Sequence, residues 1–432
     1  MRNALRLIIV MAVVLMAIGF CGCSSQEEGN KYGIHNYTIV YCSDGKVEYQ
    51  NYGPGTTEQT VYELASNGKT VAAVVALRMV DEGLLSLDEQ IYPYLDAGLL
   101  TDDPRLMEIT LEELLCHTAG FSPSYELGVD KKLYSNPGEK FRYSGVGYIY
   151  LQSVIENASG MTLDQAASKY VFDPMGMEHS TFESADTITP YMNLSNAVLY
   201  SMLVFVLSFI VLLVIVSIIG KVTKHKLYSF KAGYAGSYIA AGVINAVFLL
   251  FFFVSKVFVL FLIIFAVMGS VLLLTIKKTK LFVASVPVII VVTFIVGFTL
   301  PVSIPVNRDV IAKEANCAYT FRSTPEDMTL FCNGLMESYD NPNDTCRQMF
   351  APAVNIDANN MWGLGIAIES DAEGATTYWH SGINPGFQSL YVLCPEENKY
   401  VVVLTNSDNG LDFAIETASA FLGFEGTWQI KR

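Results

Sequence analysis

The chain has 432 residues, of which 52% are hydrophobic and 16% charged, with a formal net charge of -15 and a mean hydropathy of +0.36. A soluble domain usually carries about 25% charged residues, and a disordered chain carries fewer apolar ones. The composition therefore argues against a disordered chain, a nucleic-acid-binding protein and an ordinary cytoplasmic enzyme, and it indicates membrane segments.

Residues 1–30 predict an export signal. A short basic start precedes an apolar run from Leu7 to Phe20, and small residues follow it. This order is typical of a secretory signal. The pair Gly22-Cys23 loosely resembles a lipoprotein cleavage box, and an uncleaved signal anchor is the equal alternative. Both interpretations place the next part of the chain outside the membrane.

Residues 31–190 begin with a predicted β-hairpin. Two predicted strands, Tyr37–Tyr41 and Lys46–Asn51, flank the turn sequence Ser43-Asp44-Gly45. Further along, apolar periodicity predicts a helix over Thr70–Asp81, which Gly83 ends. This first part therefore mixes strands with a helical middle.

Residues 191–306 predict a membrane unit of four helices. The segment contains eight lysines and no acidic residue. Its four apolar runs are Ala197–Ile219, Ala232–Val254, Val257–Ile276 and Leu281–Leu300. A run of about 20 apolar residues is long enough to cross a bilayer as a helix. Four crossings return the chain to the side from which it started.

The lysines predict the orientation of these four helices. They cluster in two loops, at 221–231 and at 277–280, whereas the hairpin between the second and third runs has only Lys256. The positive-inside rule places the two lysine-rich loops in the cytoplasm. Residues 31–190 and 307–432 are then extracytoplasmic, which agrees with the export signal.

Residues 307–432 complete the outer domain. They predict strands at Trp362–Glu369, Gln388–Leu393 and Tyr400–Thr405, and a helix around Ala414–Phe424. The expected fold class is α+β, with an antiparallel sheet formed by distant parts of the chain and interrupted by the all-α insert. Six outer cysteines permit up to three disulfides, but free buried thiols are the preferred interpretation, and no Cys/His cluster suggests a metal.

The first candidate catalytic pair is Ser66 and Lys69. The tetrapeptide Ser66-Asn67-Gly68-Lys69 lies where the predicted helix begins. A spacing of three on a helix places the hydroxyl and the amine on one face, close enough for proton transfer. An isolated S-x-x-K match more often represents a capping serine and a solvated lysine.

The flanking sequence gives this match its weight, because several segments occur in the order seen in one family. They are Tyr62–Thr70, Glu82–Asp88, Ile109–Gly120, Pro137–Ser144, Gly147-Tyr148, Pro174–Met177, Ser323–Met328, Trp362–Gly365 and His380–Gly382. This ordered set resembles the serine β-lactamase-related hydrolases, which include class C β-lactamases, D-alanyl-D-alanine carboxypeptidases, D-aminopeptidases and related esterases. The resemblance covers nearly all of the two outer parts and none of the insert.

The resemblance implies a role for each matching residue. Ser66 attacks a carbonyl to form an acyl-enzyme, Lys69 is the base, and Tyr143 relays protons to the leaving group. The third motif, His380-Ser381-Gly382, lines the site on a strand. The N–H of Ile383 joins that of Ser66 in the oxyanion hole. His117 belongs to the same signature and is interpreted as a structural, hydrogen-bonded histidine.

Two positions depart from the family pattern. Gly145 replaces the asparagine that normally ends the second motif, so it supplies no amide to hold substrate or Lys69. His380 replaces the lysine usual in β-lactamases, and a histidine gives a less constant positive charge. The second departure favours esters or D-amino-acid amides over β-lactams as substrates.

The sequence thus predicts a bacterial, multi-pass membrane protein with an extracytoplasmic serine hydrolase domain. Its expected partners are the bilayer and a small-molecule or peptide substrate, with cell-wall material as one source. It is expected to use no cofactor, metal or nucleic acid. The alternatives are an acylation-triggered penicillin-binding sensor and a non-catalytic binding protein. Transport is the weakest, because no predicted span has an ionisable residue in its interior.

Overall fold

The computed structural model describes residues 31–123, 131–193, 303–305 and 314–430. The chain divides into two compact units, one made of Met1–Gly33 with Met192–Asn307 and the other of Ile34–Tyr191 with Arg308–Arg432. The predicted signal and the four apolar runs lie outside the described residues. Among the residues that are described, no helix is both long and apolar enough to span a bilayer.

The second unit is built on one antiparallel sheet of eight strands. Their order across the sheet is β2-β1-β12-β11-β10-β9-β8-β7. The bounds are β1 Tyr37–Ser43, β2 Lys46–Tyr52, β7 Val354–Asn355, β8 Asn360–Trp362, β9 Ala367–Ser370, β10 Thr376–Asn384, β11 Phe387–Cys394 and β12 Lys399–Thr405. The expected α+β class with an antiparallel sheet is confirmed.

The sheet joins the sequence before the insert to the sequence after it, because β1 pairs with β12. Val40 on β1 pairs with Val402 on β12, and both are fully buried. The predicted hairpin between β1 and β2 is present. Its turn residues Asp44 and Gly45 both have positive φ, at 52° and 73°, as a two-residue hairpin turn requires. Strands that are distant in the sequence therefore form the centre of the sheet.

Helices pack around this sheet. In the described residues the α-helices are α1 Gly68–Asp81, α2 Leu111–Leu115, α3 Gly145–Ser159, α4 Leu163–Ala167, α5 Asp173–Met175, α6 Pro325–Asp340 and α7 Gly410–Leu422. Short 3-10 segments occur at Tyr92–Tyr94, Ala97–Leu99, Pro104–Met107, Thr345–Phe350 and Pro395–Glu397, and a π-helical segment at Ser168–Phe172. Helix α1 is apolar on nearly every side because it is a central helix of the unit.

The predicted continuous strand Trp362–Glu369 is wrong. The structure divides it into β8, which ends at Trp362, and β9, which begins at Ala367. Gly365 has a φ of +81°, and a Cβ atom there would lie 2.2 Å from the Cβ of Ala73 on α1. The glycine permits both the turn and the close approach to the helix, which a strand of ordinary residues would prevent.

Two short strand pairs complete the described structure. Strand β3 (Tyr62–Ala65) pairs with β6 (Phe321–Ser323), and β4 (Tyr191–Asn193) pairs with β5 (Ser303–Pro305). The second pair brackets residues 194–302, so the two ends of the inserted segment meet. The six cysteines of the second unit are buried and form no disulfide, as the preferred interpretation expected.

Candidate active site

Ser66 lies in the tight connection between β3 and α1. The preceding residue, Ala65, has a φ of 48°, a left-handed conformation that a residue with a Cβ rarely adopts. The N–H of Asn67 donates to the carbonyl of Leu64 at 3.1 Å and closes the turn. Backbone strain of this kind is typical of functional positions, where the surrounding structure enforces it. The turn leaves Ser66 partly exposed at the start of the helix.

Lys69 lies one turn further along α1 and faces Ser66. Its Nζ atom is 3.0 Å from the Ser66 Oγ atom, so the predicted pair is in direct hydrogen-bond contact. The Lys69 residue is only 1% exposed. Burial disfavours the charged form of an amine, which is the condition that a lysine needs to accept a proton.

A backbone carbonyl, that of Ala318, completes this pair. The Lys69 Nζ atom donates to it at 2.6 Å, and the Ser66 Oγ atom lies 3.3 Å from it. Ala318 belongs to the segment just before β6. Sequence reasoning missed it because a backbone acceptor has no side-chain signature.

Tyr143 lies on the other side of the lysine. The Lys69 Nζ atom is 5.1 Å from the centre of the Tyr143 ring. The ring packs against His117, with centroids 4.5 Å apart, and against Trp362, with centroids 5.7 Å apart. The next residue, Ser144, caps α3, because its Oγ atom accepts from the N–H of Gly147 at 2.9 Å. The helix start therefore fixes the backbone of the tyrosine.

His117 has the structural character that the sequence predicted. It is buried, and its Nδ1 atom accepts a hydrogen bond from the N–H of Ser144 at 3.2 Å. Burial, followed by the charges of Lys69 and His380, holds the pKa of His117 well below its usual range. His117 therefore stays neutral and holds the second motif in place.

The third motif lies on β10, beside the nucleophile. Strand β9 pairs with β10 only as far as Trp379, so the following residues have β11 on one edge and no strand pairing on the other in the described residues. A Cβ atom on Gly382 would lie 1.9 Å from the carbonyl oxygen of Leu64. Only glycine lets β10 approach β3 this closely. Ser381 is buried and Ile383 is half exposed.

The His380 side chain is fully buried. Its Nδ1 atom is 2.8 Å from the Ser381 carbonyl oxygen and therefore carries the proton. The ring packs against Trp362 and Tyr143. Burial above all, with the charge of Lys69, lowers the pKa of His380 to about 3. The imidazole is therefore neutral.

Gly145, which replaces the asparagine of the second motif, is the first residue of α3. Its N–H donates to the carbonyl of Pro123 at 3.2 Å. It adds no side-chain group near Lys69, whose Nζ atom is held by Ser66 and Ala318. In the described part of the chain, no group of three or more His, Cys, Asp or Glu side chains could hold a metal ion.

A family model described as Beta-lactamase matches residues 25–192 and 304–422, which together are more than half of the chain. The chain belongs to the β-lactamase family. The match stops where the lysine-rich insert begins and resumes where it ends, so the family domain is split in the sequence. The family resemblance predicted from the ordered motifs is confirmed.

Similar proteins within this family include two bacterial ones. Protein flp of Staphylococcus aureus (strain MW2) is 26% identical over 187 residues, 37% of this chain and 37% of that protein. An Escherichia coli (strain K12) protein named "Putative D-alanyl-D-alanine carboxypeptidase" is 30% identical over 165 residues, 32% of this chain and 37% of that protein. The chain thus spans little more than a third of the length of these relatives.

Solved structures share the fold of this β-lactamase-family chain. A penicillin-binding protein from Bacillus halodurans has a TM-score of 0.58 at 16% identity and covers 92% of this chain and 99% of its own. A D-stereospecific amidohydrolase from a Streptomyces species has a TM-score of 0.55 at 15% identity, with coverages of 89% and 94%. At these identities the likeness establishes the fold alone.

Proposed function

We propose that the protein is a serine hydrolase that acts through an acyl-enzyme. The observation that carries this proposal is the contact between the buried Lys69 amine and the Ser66 hydroxyl, at 3.0 Å. Ser66 attacks a carbonyl carbon while Lys69 takes the hydroxyl proton. Membership of the β-lactamase family and the relatives named for carboxypeptidase and amidohydrolase activities support the same reaction class.

The oxyanion and the leaving group each have a partner in this proposal. The developing negative charge on the carbonyl oxygen is stabilised by the N–H groups of Ser66 and Ile383. Tyr143, next to the lysine, passes the proton on to the leaving group. Water then attacks the acyl-enzyme carbonyl with help from the same lysine and tyrosine, and Ser66 is released.

For the substrate, we propose an ester or a D-amino-acid amide or peptide, with bacterial cell-wall peptides as one source. The neutral, fully buried His380 offers no cation to a substrate carboxylate. A site that lacks this cation favours a substrate without a free carboxylate. Two similar proteins are named as a D-alanyl-D-alanine carboxypeptidase and a D-stereospecific amidohydrolase, and these names support D-amino-acid substrates.

The test is labelling with a fluorophosphonate, which reacts with activated serines. The unchanged protein is expected to be labelled, and Ser66→Ala is expected not to be. Ser153→Ala removes a buried serine hydroxyl that bonds to Tyr94, Asp96 and Asn157, none of which the proposed reaction uses, so it is a matched control that should label normally. Equal labelling of Ser66→Ala and the unchanged protein would overturn the nucleophile assignment.

We also propose that residues 191–306 anchor this domain in the membrane, with the domain on the outer side. The four apolar runs and the two lysine-rich loops support this orientation. External protease added to intact cells is expected to digest the catalytic domain and spare the loop at 221–231. Cleavage within that loop from outside would reverse the proposed orientation.

A further inference from the structure

A buried ion pair lies beside the active site and is not used by the proposed reaction. Arg322 on β6 and Glu63 on β3 are 3.1 Å apart, with side chains only 3% and 2% exposed. The same guanidinium donates to the backbone carbonyls of Glu183 and Thr320. These bonds connect the part of the domain before the insert with the part after it.

Asn384 extends this pair to the third motif. Its Nδ2 atom donates to the second carboxylate oxygen of Glu63 at 2.9 Å and to the carbonyl oxygen of Tyr319 at 3.0 Å. Both oxygens of Glu63 are therefore bonded, one to Arg322 and one to Asn384. The result is a connected set of charge-assisted hydrogen bonds in a low-dielectric interior, where such bonds are strong and directional.

Each member of this set is a near neighbour in sequence of a backbone group that the site uses. Glu63 precedes Ser66 by three residues on the same strand and turn. Tyr319 directly follows Ala318, whose carbonyl holds Lys69, and Asn384 directly follows Ile383. One asparagine amide thus ties together the nucleophile strand, the segment that holds the lysine, and the oxyanion strand.

We propose that Asn384 and Glu63 are positioning residues for the hydrolase. Asn384 fixes the distance between the Ile383 N–H and Ser66, and through Tyr319 it fixes the Ala318 carbonyl that orients Lys69. This inference rests on the proposed function. A buried ion pair adds little net stability relative to apolar side chains, because desolvation offsets its attraction. A role in geometry accounts for the placement of this set around the catalytic groups.

The test compares Asn384→Ala with a matched variant, Asn157→Ala. Asn157 also donates from one amide nitrogen to a backbone carbonyl, that of Tyr94, and to a carboxylate, that of Asp96. Displacement of catalytic groups by about 1 Å lowers rates by about 10²-fold. Asn384→Ala is therefore expected to lower kcat for a small ester by about 10²-fold with a much smaller change in KM. Asn157→Ala is expected to leave both constants unchanged.

The rates are expressed per active site. Active sites are counted by complete fluorophosphonate labelling of a parallel sample, so unfolded protein does not contribute to the count. Asn384→Leu keeps the branched shape without the donors, and it replaces Asn384→Ala if the latter does not fold. A kcat within about threefold of the unchanged protein for a folded Asn384 variant would overturn the positioning role while leaving the proposed function intact. Absence of both labelling and turnover in the unchanged protein would overturn both proposals.

A double-mutant cycle with Glu63→Gln separates positioning from general destabilisation. If Asn384 and Glu63 act as one unit, the effect of Asn384→Ala on kcat is smaller in the Glu63→Gln background than in the unchanged protein. Additive effects on kcat would contradict the inference, because they would mean that the two side chains act independently.

Discussion

The Nζ atom of Lys69 donates a 2.6 Å hydrogen bond to the carbonyl oxygen of Ala318, a residue 249 positions later in the chain. The two residues lie on either side of the inserted segment in the sequence, yet both belong to one folded unit. The proposed catalytic base is therefore assembled from both parts of the split domain. Neither part alone contains the contacts that hold the lysine against Ser66.

Replacement of Lys69 by methionine is expected to slow acylation strongly. The variant keeps an apolar side chain of similar length in a buried place and removes the proton acceptor. General-base groups contribute about 10²–10⁴-fold to rates. The second-order rate constant of fluorophosphonate labelling should therefore decrease by a factor of about 10²–10⁴. The exposed Lys46→Met is the control, and a labelling rate for Lys69→Met close to that of the control would contradict the assignment.

Acid should destabilise the protein in a way that depends on His380. Burial lowers the pKa of His380 from 6.5 to about 3 in the folded state. Below pH 6.5 the unfolded chain binds a proton that the folded protein does not bind, so stability present above pH 6.5 is lost as the pH falls. The limiting slope is about 1.4 kcal/mol per pH unit for one group.

Urea unfolding between pH 7 and pH 5 measures this slope. The His380→Gln variant should lose about 2 kcal/mol less free energy of unfolding over that interval than the unchanged protein. The exposed His179→Gln variant should follow the unchanged protein. Parallel curves for His380→Gln and the unchanged protein would show that His380 ionises freely in the folded state.

Gly382→Ala should damage both folding and activity. The added Cβ atom would meet the Leu64 carbonyl oxygen at 1.9 Å, so β10 must move away from β3. Overpacking of this kind costs about 1–3 kcal/mol of unfolding free energy. The movement also displaces the Ile383 N–H, and loss of one oxyanion donor costs about 10²–10³-fold in kcat. Gly98→Ala, which meets no atom within 4 Å, should change neither the melting temperature nor the rate by a comparable amount.

A negative charge at the carboxyl terminus of the substrate should lower kcat/KM. A D-amino-acid methyl ester or amide is expected to have a higher kcat/KM than the same peptide ending in a free carboxylate, by at least about tenfold. The physical reason is the neutral, buried His380 on the third motif. Purified protein tested with such matched pairs gives the ratio. A preference for the free carboxylate would indicate another cation near the site.

Deacylation should distinguish a hydrolase from a sensor. We expect a small chromogenic ester to be turned over many times by each molecule, because the lysine and tyrosine that assist acylation remain next to the acyl group. Stopped-flow measurement gives the burst and the steady rate. A single burst followed by an acyl adduct that persists for hours would instead support the acylation-triggered receptor.

The sequence predicted the elements whose signal is local. The hairpin around Asp44-Gly45 and the helix ending at Asp81 follow from turn residues and from apolar periodicity, and the structure has both. The Ser66–Lys69 contact was also predicted from a spacing of three, although Ser66 lies in the turn before α1 and only Lys69 lies on the helix. In contrast, the break between β8 and β9 depends on how closely Gly365 approaches Ala73, a contact between distant segments.

The same limit applied to the active site. His380 was predicted to line the site, and its ring packs against Tyr143, but the motif did not show that the imidazole would be fully buried. The Ala318 carbonyl and the bonds of Asn384 to Glu63 join segments separated by hundreds of residues. No pattern of residue types in one sequence specifies such pairings, so only the folded structure identified them.

The pairing of β4 with β5 has a practical consequence for the molecule. Because these two strands are hydrogen-bonded neighbours, the end of β4 at Asn193 and the start of β5 at Ser303 lie close together. A connection of about four to six residues is therefore expected to replace residues 194–302 without moving either strand. Such a shortened chain, free of its most apolar segment, should keep the eight-stranded sheet and be open to crystallisation.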